Sequence, residues 1–266
     1  MKPWFAALVM IVSAASPSWA DLKYTMHMET KKAEGAAPPA NPVLGMMGDA
    51  LMKQMVPEGA ADVVYLVGDK VARIEYQQAA MGQAAGTVDL LKPDGTLIVM
   101  NPAEKTYWKM NPDAAASAMK SAGISPPDVT AKRTGQFETV AGSKCEVVTF
   151  DWKMAIPIPE AARASLPAGF PTSLTMTGDT CTSDAFPKYA AVVAKAASSL
   201  TSAMGWDKIA QGGLILRQRM QMNGYELRAA VTTISEEPAS PESAFDVPAD
   251  FKEVPMPTPI GRAPNH

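Results

Sequence analysis

Apolar and polar residues alternate at a period of two through most of this chain. In residues 22–30, Leu22, Tyr24, Met26 and Met28 fall on one side and Lys23, Thr25, His27 and Glu29 on the other, which predicts a half-buried strand. Residues 63–67 and 71–76 repeat the pattern around Gly68-Asp69, a short-turn hairpin signal, with Ala72, Ile74 and Tyr76 set against Arg73 and Glu75. Residues 87–91 and 96–100 do so again around Lys92-Pro93-Asp94-Gly95, where Pro fixes φ and Gly tolerates positive φ. Further strands are expected at 105–110, at 129–140 and 143–153 across a tight Ala141-Gly142 turn, and at 173–177. The last pair, 214–222 and 225–236, flanks Asn223-Gly224, the strongest hairpin signal in the chain.

Helical spacing interrupts this alternation in a few places. Residues 35–42 are rich in Ala, Gly and Pro and lead into 43–55, where Leu44, Met47, Leu51, Met52 and Met55 recur on one helical face. An Ala-rich helix is expected at 113–122, stopped by Gly123, and a longer one at 188–204, stopped by Gly205. Pro157, Pro159, Pro167 and Pro171 make the intervening stretch a loop with at most a turn or two of helix at 160–165. About ten strands joined mostly by hairpins imply an α+β fold. Its expected form is a strongly curved antiparallel β-sheet, an incomplete barrel, with two or three helices packed on one face.

The first twenty residues change the picture from architecture to location. Lys2, the apolar run 5–12 and the closing Ser18-Trp19-Ala20 form an export signal with a small-x-small cleavage site before Asp21. The run is too short to span a bilayer, no second apolar stretch is long enough, and no cysteine near the cut offers lipid attachment. The expected organisation is a cleaved signal peptide (1–20), one β-rich domain (21–254) with a Met-rich helical insertion near 35–57, and a disordered Pro-rich tail (255–266). The expected location is the periplasm or the exterior. Formal net charge is −3, with basic residues scattered, which argues against nucleic acid as a partner. Cys145 and Cys181 are the only cysteines, and an even pair in an oxidising compartment is expected to form a disulfide.

Candidate chemistry is sparse. The two histidines are His27, in the first strand, and His266, the last residue, so a Ser-His or Cys-His nucleophile would rely on His27. No GxSxG, HExxH, P-loop or GxGxxG motif occurs, and adjacent acids such as Glu236-Glu237 read as solvated surface. A non-enzymatic protein without a cofactor is expected. The 18 methionines invite a Cu(I) reading, with Met26-His27-Met28 beside Met46, Met47, Met52 and Met55 as soft ligands. Strand geometry opposes it, because Met26 and Met28 share a face and His27 points away. Flexible Met side chains filling an irregular apolar surface explain the same residues, and such a surface also suits varied apolar ligands.

Three stretches carry a resemblance. Residues 101–107, Asn-Pro-Ala-Glu-Lys-Thr-Tyr, 134–145, Thr-Gly-Gln-Phe-Glu-Thr-Val-Ala-Gly-Ser-Lys-Cys, and 245–251, Phe-Asp-Val-Pro-Ala-Asp-Phe, resemble elements of the DUF4412 family of exported bacterial proteins. That family is similar in outline to periplasmic lipoprotein carriers of the LolA and LppX kind. The resemblance implies a curved antiparallel half-barrel with helices on its concave side, a shape that in the carriers holds acyl chains. It carries over no catalytic residue. The Met-rich insertion and the Pro-rich segment near 155–171 depart from the carriers.

The leading expectation is a soluble periplasmic carrier for a lipid, acyl chain or other hydrophobic ligand. Its lid would be Leu44, Met47, Leu51, Met52 and Met55, and its lining the apolar faces around Ile74, Tyr76, Leu216 and Met220. The alternative is an envelope interaction or structural protein with a filled core that docks another exported protein. The Cu(I) protein is the third.

Overall fold

The computed structural model describes residues 20–33, 49, 53, 55–57, 59–111, 114, 117, 120, 121, 123, 125–156, 158, 172–196, 205–222 and 224–257. Twelve strands form one sheet. They are β1 (Ala20–Lys32), β2 (Ala60–Val67), β3 (Ala72–Tyr76), β4 (Val88–Leu91), β5 (Leu97–Asn101), β6 (Thr106–Met110), β7 (Asp128–Val140), β8 (Ser143–Ala155), β9 (Ser173–Ser183), β10 (Leu214–Met222), β11 (Tyr225–Pro238) and β12 (Lys252–Glu253). The spatial order is β12-β6-β5-β4-β3-β2-β1-β11-β10-β9-β8-β7. Two antiparallel meanders, β2 to β6 and β7 to β11, thus flank β1, and the β1–β11 pairing joins them. The sheet is open, with edges at β12 and β7.

Turn chemistry sets the hairpins where the alternation predicted them. Ala141 and Gly142 both take positive φ, 47° and 80°, the combination a two-residue type I′ turn needs between β7 and β8. A bulge between Thr25 and Met26 breaks the β1–β11 register, and another between Ile215 and Arg217 breaks β10–β9. Bulges sharpen local twist, and these two lie on pairings near the middle of the sheet. Gly178 shows how closely β9 and β10 approach: a Cβ there would stand 2.0 Å from the Arg219 carbonyl oxygen.

Two helices are described along their length, α1 (Pro187–Ala196) and α2 (Trp206–Ala210). The apolar face of α1, Tyr189, Ala190, Val192 and Val193, joins Leu22 and Tyr24 of β1, Val67, Ala72 and Leu91 of the first meander and Val147, Leu214 and Leu216 of the second in one core cluster. Strands far apart in the sheet share this core, so the sheet curves around the helix. A second cluster joins Met28, Ala61, Val63 and Tyr76 to Phe150, Trp152, Met176, Met220 and Leu227, with Ile209 of α2 fully buried among them. The Cys145–Cys181 disulfide is formed, and it ties β8 to β9 diagonally, since Cys181 stands opposite Val147 in the register.

The structure departs from the sequence expectations in several particulars. Strand β9 runs through Cys181 to Ser183 instead of ending near residue 177. Gly205 is the N-cap of helix α2, and residues 197–204, over which the longer helix was expected to run on from α1, lie outside the described residues. Helices cover one face, yet the other is also covered: a C-terminal arm with a 3-10 turn (Glu242–Phe245) and β12 crosses the outer side of β4–β6. There Val88, Leu90, Ile98 and Met100 pack against Val247, Phe251 and Tyr107, which explains why all four residues of β4 are buried. Strand β12 pairs parallel with β6. Residues 1–19 of the signal segment, the residues Leu44, Met46, Met47, Leu51 and Met52, the span 160–165 and the tail from 258 lie outside the described residues, while Ala20 opens β1. Residues 114, 117, 120 and 121 are helical, as expected for the Ala-rich segment.

Candidate functional site

The inner face carries the residues expected to line a cavity, and the structure places them in packed surroundings. Leu216 is fully buried in the first cluster, while Tyr76 and Met220 are buried in the second. Ile74 is half-buried and touches both clusters. Met55, the described member of the expected lid, is half-buried against the second cluster. The structure therefore brings Ile74, Tyr76, Met220 and Met55 to one core, and sets Leu216 in the neighbouring one.

A polar row crosses this apolar face. Register aligns Tyr24 of β1, Tyr65 of β2, Ile74 of β3 and Asp89 of β4. The rings of Tyr24 and Tyr65 stack at 4.5 Å between centroids. The Tyr76 hydroxyl donates to Asp89 Oδ2 at 3.0 Å, and the buried Oδ1 has no partner. Burial pushes the Asp89 carboxyl up to about 7, a rise that the Tyr76 hydrogen bond only partly offsets. Burial, and then the neighbouring Asp89, push Tyr65 up to about 12 and raise Tyr76 further. Sequence reading missed Asp89. Its signal was the run Leu90-Leu91 beside it, where consecutive apolar residues indicate burial on both faces.

A cleft of about 320 Å³ opens at the far end of β1. Thr30, Lys31 and Lys32 of β1 form one wall, Tyr225 of β11 a second, and Asp49, Lys53, Val56, Pro57 and Gly59 the third. Backbone hydrogen bonds hold the walls: Thr30 N–H to the Gly59 carbonyl at 2.9 Å, Gly59 N–H to Val56 at 3.0 Å, and Ala33 N–H to Gly224 at 2.9 Å. Val56, 2% exposed, belongs to the second core cluster, so the apolar interior reaches the cleft floor. Residues 49, 53 and 55 are helical, and of these Asp49 and Lys53 line the cleft.

The Met26-His27-Met28 triplet does not converge. Met28 is buried in the second cluster, and His27 Nδ1 shares a 2.8 Å hydrogen bond with Asp62 Oδ1 on the opposite face of the sheet. Among the described residues no group of three or more His, Cys, Asp and Glu side chains could hold a metal ion.

The three stretches that carry the family resemblance have structural work. Lys105-Thr106-Tyr107 anchors the C-terminal arm: Lys105 pairs with Asp250 at 2.8 Å and the Tyr107 hydroxyl donates to Glu253 at 3.0 Å. In 134–145 the Thr134 hydroxyl donates to the Val147 carbonyl, Gly135 N–H to Glu146, and Glu138 receives a bidentate bond from Arg217 at 2.8 and 3.0 Å. In 245–251 Phe245 is buried, its carbonyl accepts from Lys92 Nζ at 2.6 Å, and Phe251 closes the outer core.

A family model described as "Domain of unknown function (DUF4412)" matches residues 46–251. Comparison with curated proteins returns no match. Among solved structures, the chain is similar to MucB in its complex with MucA(peri), at 10% identity and a TM-score of 0.38, over 90% of this chain and 58% of that one. It is similar to a domain from Vibrio parahaemolyticus described as an outer membrane lipoprotein-sorting protein domain, at 9% identity and a TM-score of 0.34, over 86% and 90% of the two chains. The Pseudomonas aeruginosa MucA/MucB complex matches at 12% identity and a TM-score of 0.37, over 90% and 59%. The chain thus spans 58% of the length of the first MucB chain it matches.

Proposed function

The chain belongs to the DUF4412 family, a domain of unknown function, and from its fold and cleft we propose that it is an exported, non-enzymatic carrier or binding protein for a hydrophobic or amphiphilic ligand. The cleft at the end of β1 is the observation that carries this reading. It has the volume of a small ligand site, an apolar floor continuous with the core, and the helical residues Asp49 and Lys53 in its lining. The inner face supports a different entry point from the one its alternation suggests, because Leu216 shares one core cluster with α1 and Met220 shares the other with Ile209 of α2. An export signal before Asp21 and the absence, among the described residues, of a helix long and apolar enough to cross a membrane agree with a periplasmic location.

Native mass spectrometry of protein purified gently from its own compartment, followed by organic extraction, tests this reading. The expected result is a discrete adduct of lipid or acyl-chain mass. A clean apo mass, with no uptake of added amphiphile, would sink it. The filled inner face then favours the alternative, an envelope protein that docks a partner, and makes a partner search the next step.

A further inference from the structure

The cleft also specifies the polar end of its ligand. Three lysines line it, Lys31, Lys32 and Lys53, against one carboxylate, Asp49. Lys32 and Lys53 are exposed and enter no ion pair among the described residues. Thr30 and Tyr225 place hydroxyl-bearing side chains in the same lining, and the backbone bonds from β1 to Gly59 and Gly224 fix the walls that carry them. Lysine is a compact, mobile point charge with three donors, suited to the oxygens of a single anionic group. Lys32 and Lys53 in a walled cleft, above an apolar floor at Val56 and Pro57, match an amphiphile and not a wholly apolar molecule.

Resting on the carrier reading above, we infer that the cleft binds the anionic head group, carboxylate or phosphate, of an amphiphile whose apolar part turns toward Val56, Pro57 and Met55. The charged contacts are partly solvated, so they select among head groups and weaken with salt, while the apolar part supplies affinity.

Calorimetric titration with dodecyl phosphate, dodecyl maltoside and inorganic phosphate, each below micelle-forming concentration, tests the inference. Dodecyl phosphate should bind about tenfold more tightly than the neutral maltoside, and the difference should shrink in high salt. The double variant Lys32→Ser, Lys53→Ser should lose that preference, and Lys32→Arg, Lys53→Arg should keep it. Both lysines are exposed, and an unchanged melting temperature confirms that the Ser variant folds. Equal binding of the two amphiphiles, unaffected by the Ser variant, would overturn the anionic-head assignment and leave the carrier reading standing. Inorganic phosphate binding as tightly as dodecyl phosphate would mean a site for a free anion and overturn the amphiphile. Binding of none of the three would overturn the assignment and the carrier reading together.

Discussion

At the scale of single residues, Asp89 holds the one buried side-chain polar atom without a hydrogen-bond partner among the described residues. Its carboxyl is buried, accepts one bond from Tyr76 and leaves Oδ1 unpaired. A buried acceptor without a partner destabilises, and a buried charge more so, so the folded state prefers the protonated form. The sign follows from a folded value of about 7 against an ordinary 3.8. Between these values the folded protein binds the proton more tightly than the unfolded chain. This group's contribution is therefore fully present below about pH 4, is lost as pH rises through 7, and changes little beyond. Asp89→Asn removes the titration. The fall in stability between pH 5 and pH 8, read from thermal or urea unfolding, should shrink by on the order of 1–3 kcal/mol in the variant. An unchanged fall would show that Asp89 is ionised at little cost in the folded protein. In sequence, period two places Asp89 on the same face as Leu91, yet the identity of the residue suggests the opposite face. Only the arm packed on Val88 and Leu90 shows which of the two signals holds.

At the scale of elements, the hairpins were the most legible part of the molecule, because each rests on local turn chemistry. Asp94-Gly95, Ala141-Gly142 and the turn at Gly224 all connect strands as read. Elements without a local signal were missed. Helix α2 has five residues, too few to show a helical period, and β12 pairs two residues in parallel with β6 across most of the chain. Strand β9 extends past its alternating stretch because Thr180, Cys181, Thr182 and Ser183 are all buried, which erases the alternation. The disulfide was legible from cysteine count and compartment alone. Its closure of a 36-residue separation contributes about 3–4 kcal/mol in the chain-entropy model. Cys145→Ala with Cys181→Ala should lower stability by that order in urea unfolding. The unaltered protein should show two free thiols only after denaturation and reduction, and a thiol count above zero before reduction would contradict the bridge.

At the scale of the whole molecule, the alternation told which residues face inward but not what covers them. Leu216 and Met220 were read as cavity lining, and both are covered by core. Apolar lining and apolar core have the same residues, so only the positions of α1 and α2 separate the two. The lysine-bearing cleft was invisible for another reason. It is assembled from β1, β11 and the residues Asp49, Lys53, Val56, Pro57 and Gly59, and only the β1–β11 pairing brings the end of one to the start of the other. The curved open sheet itself was legible, since repeated hairpins permit little else once helices must cover one face.

The same β1–β11 pairing sets a timetable. Synthesis produces β1 well before β11, and at ribosomal rates the interval between them is on the order of 10–40 s. Throughout that interval the first meander can form with β1 as its bare margin, a long row of unmatched N–H and C=O groups that invites the wrong strand. Chains ending before residue 214 should therefore aggregate, and a separately made hairpin of residues 213–239 should keep them in solution, a rescue readable by light scattering. Failure of the hairpin to protect would mean that β1 does not stay available as a pairing edge. The sheet joins an early strand to a late one, so its completion depends on whatever shelters the early edge while the later strand is still being made.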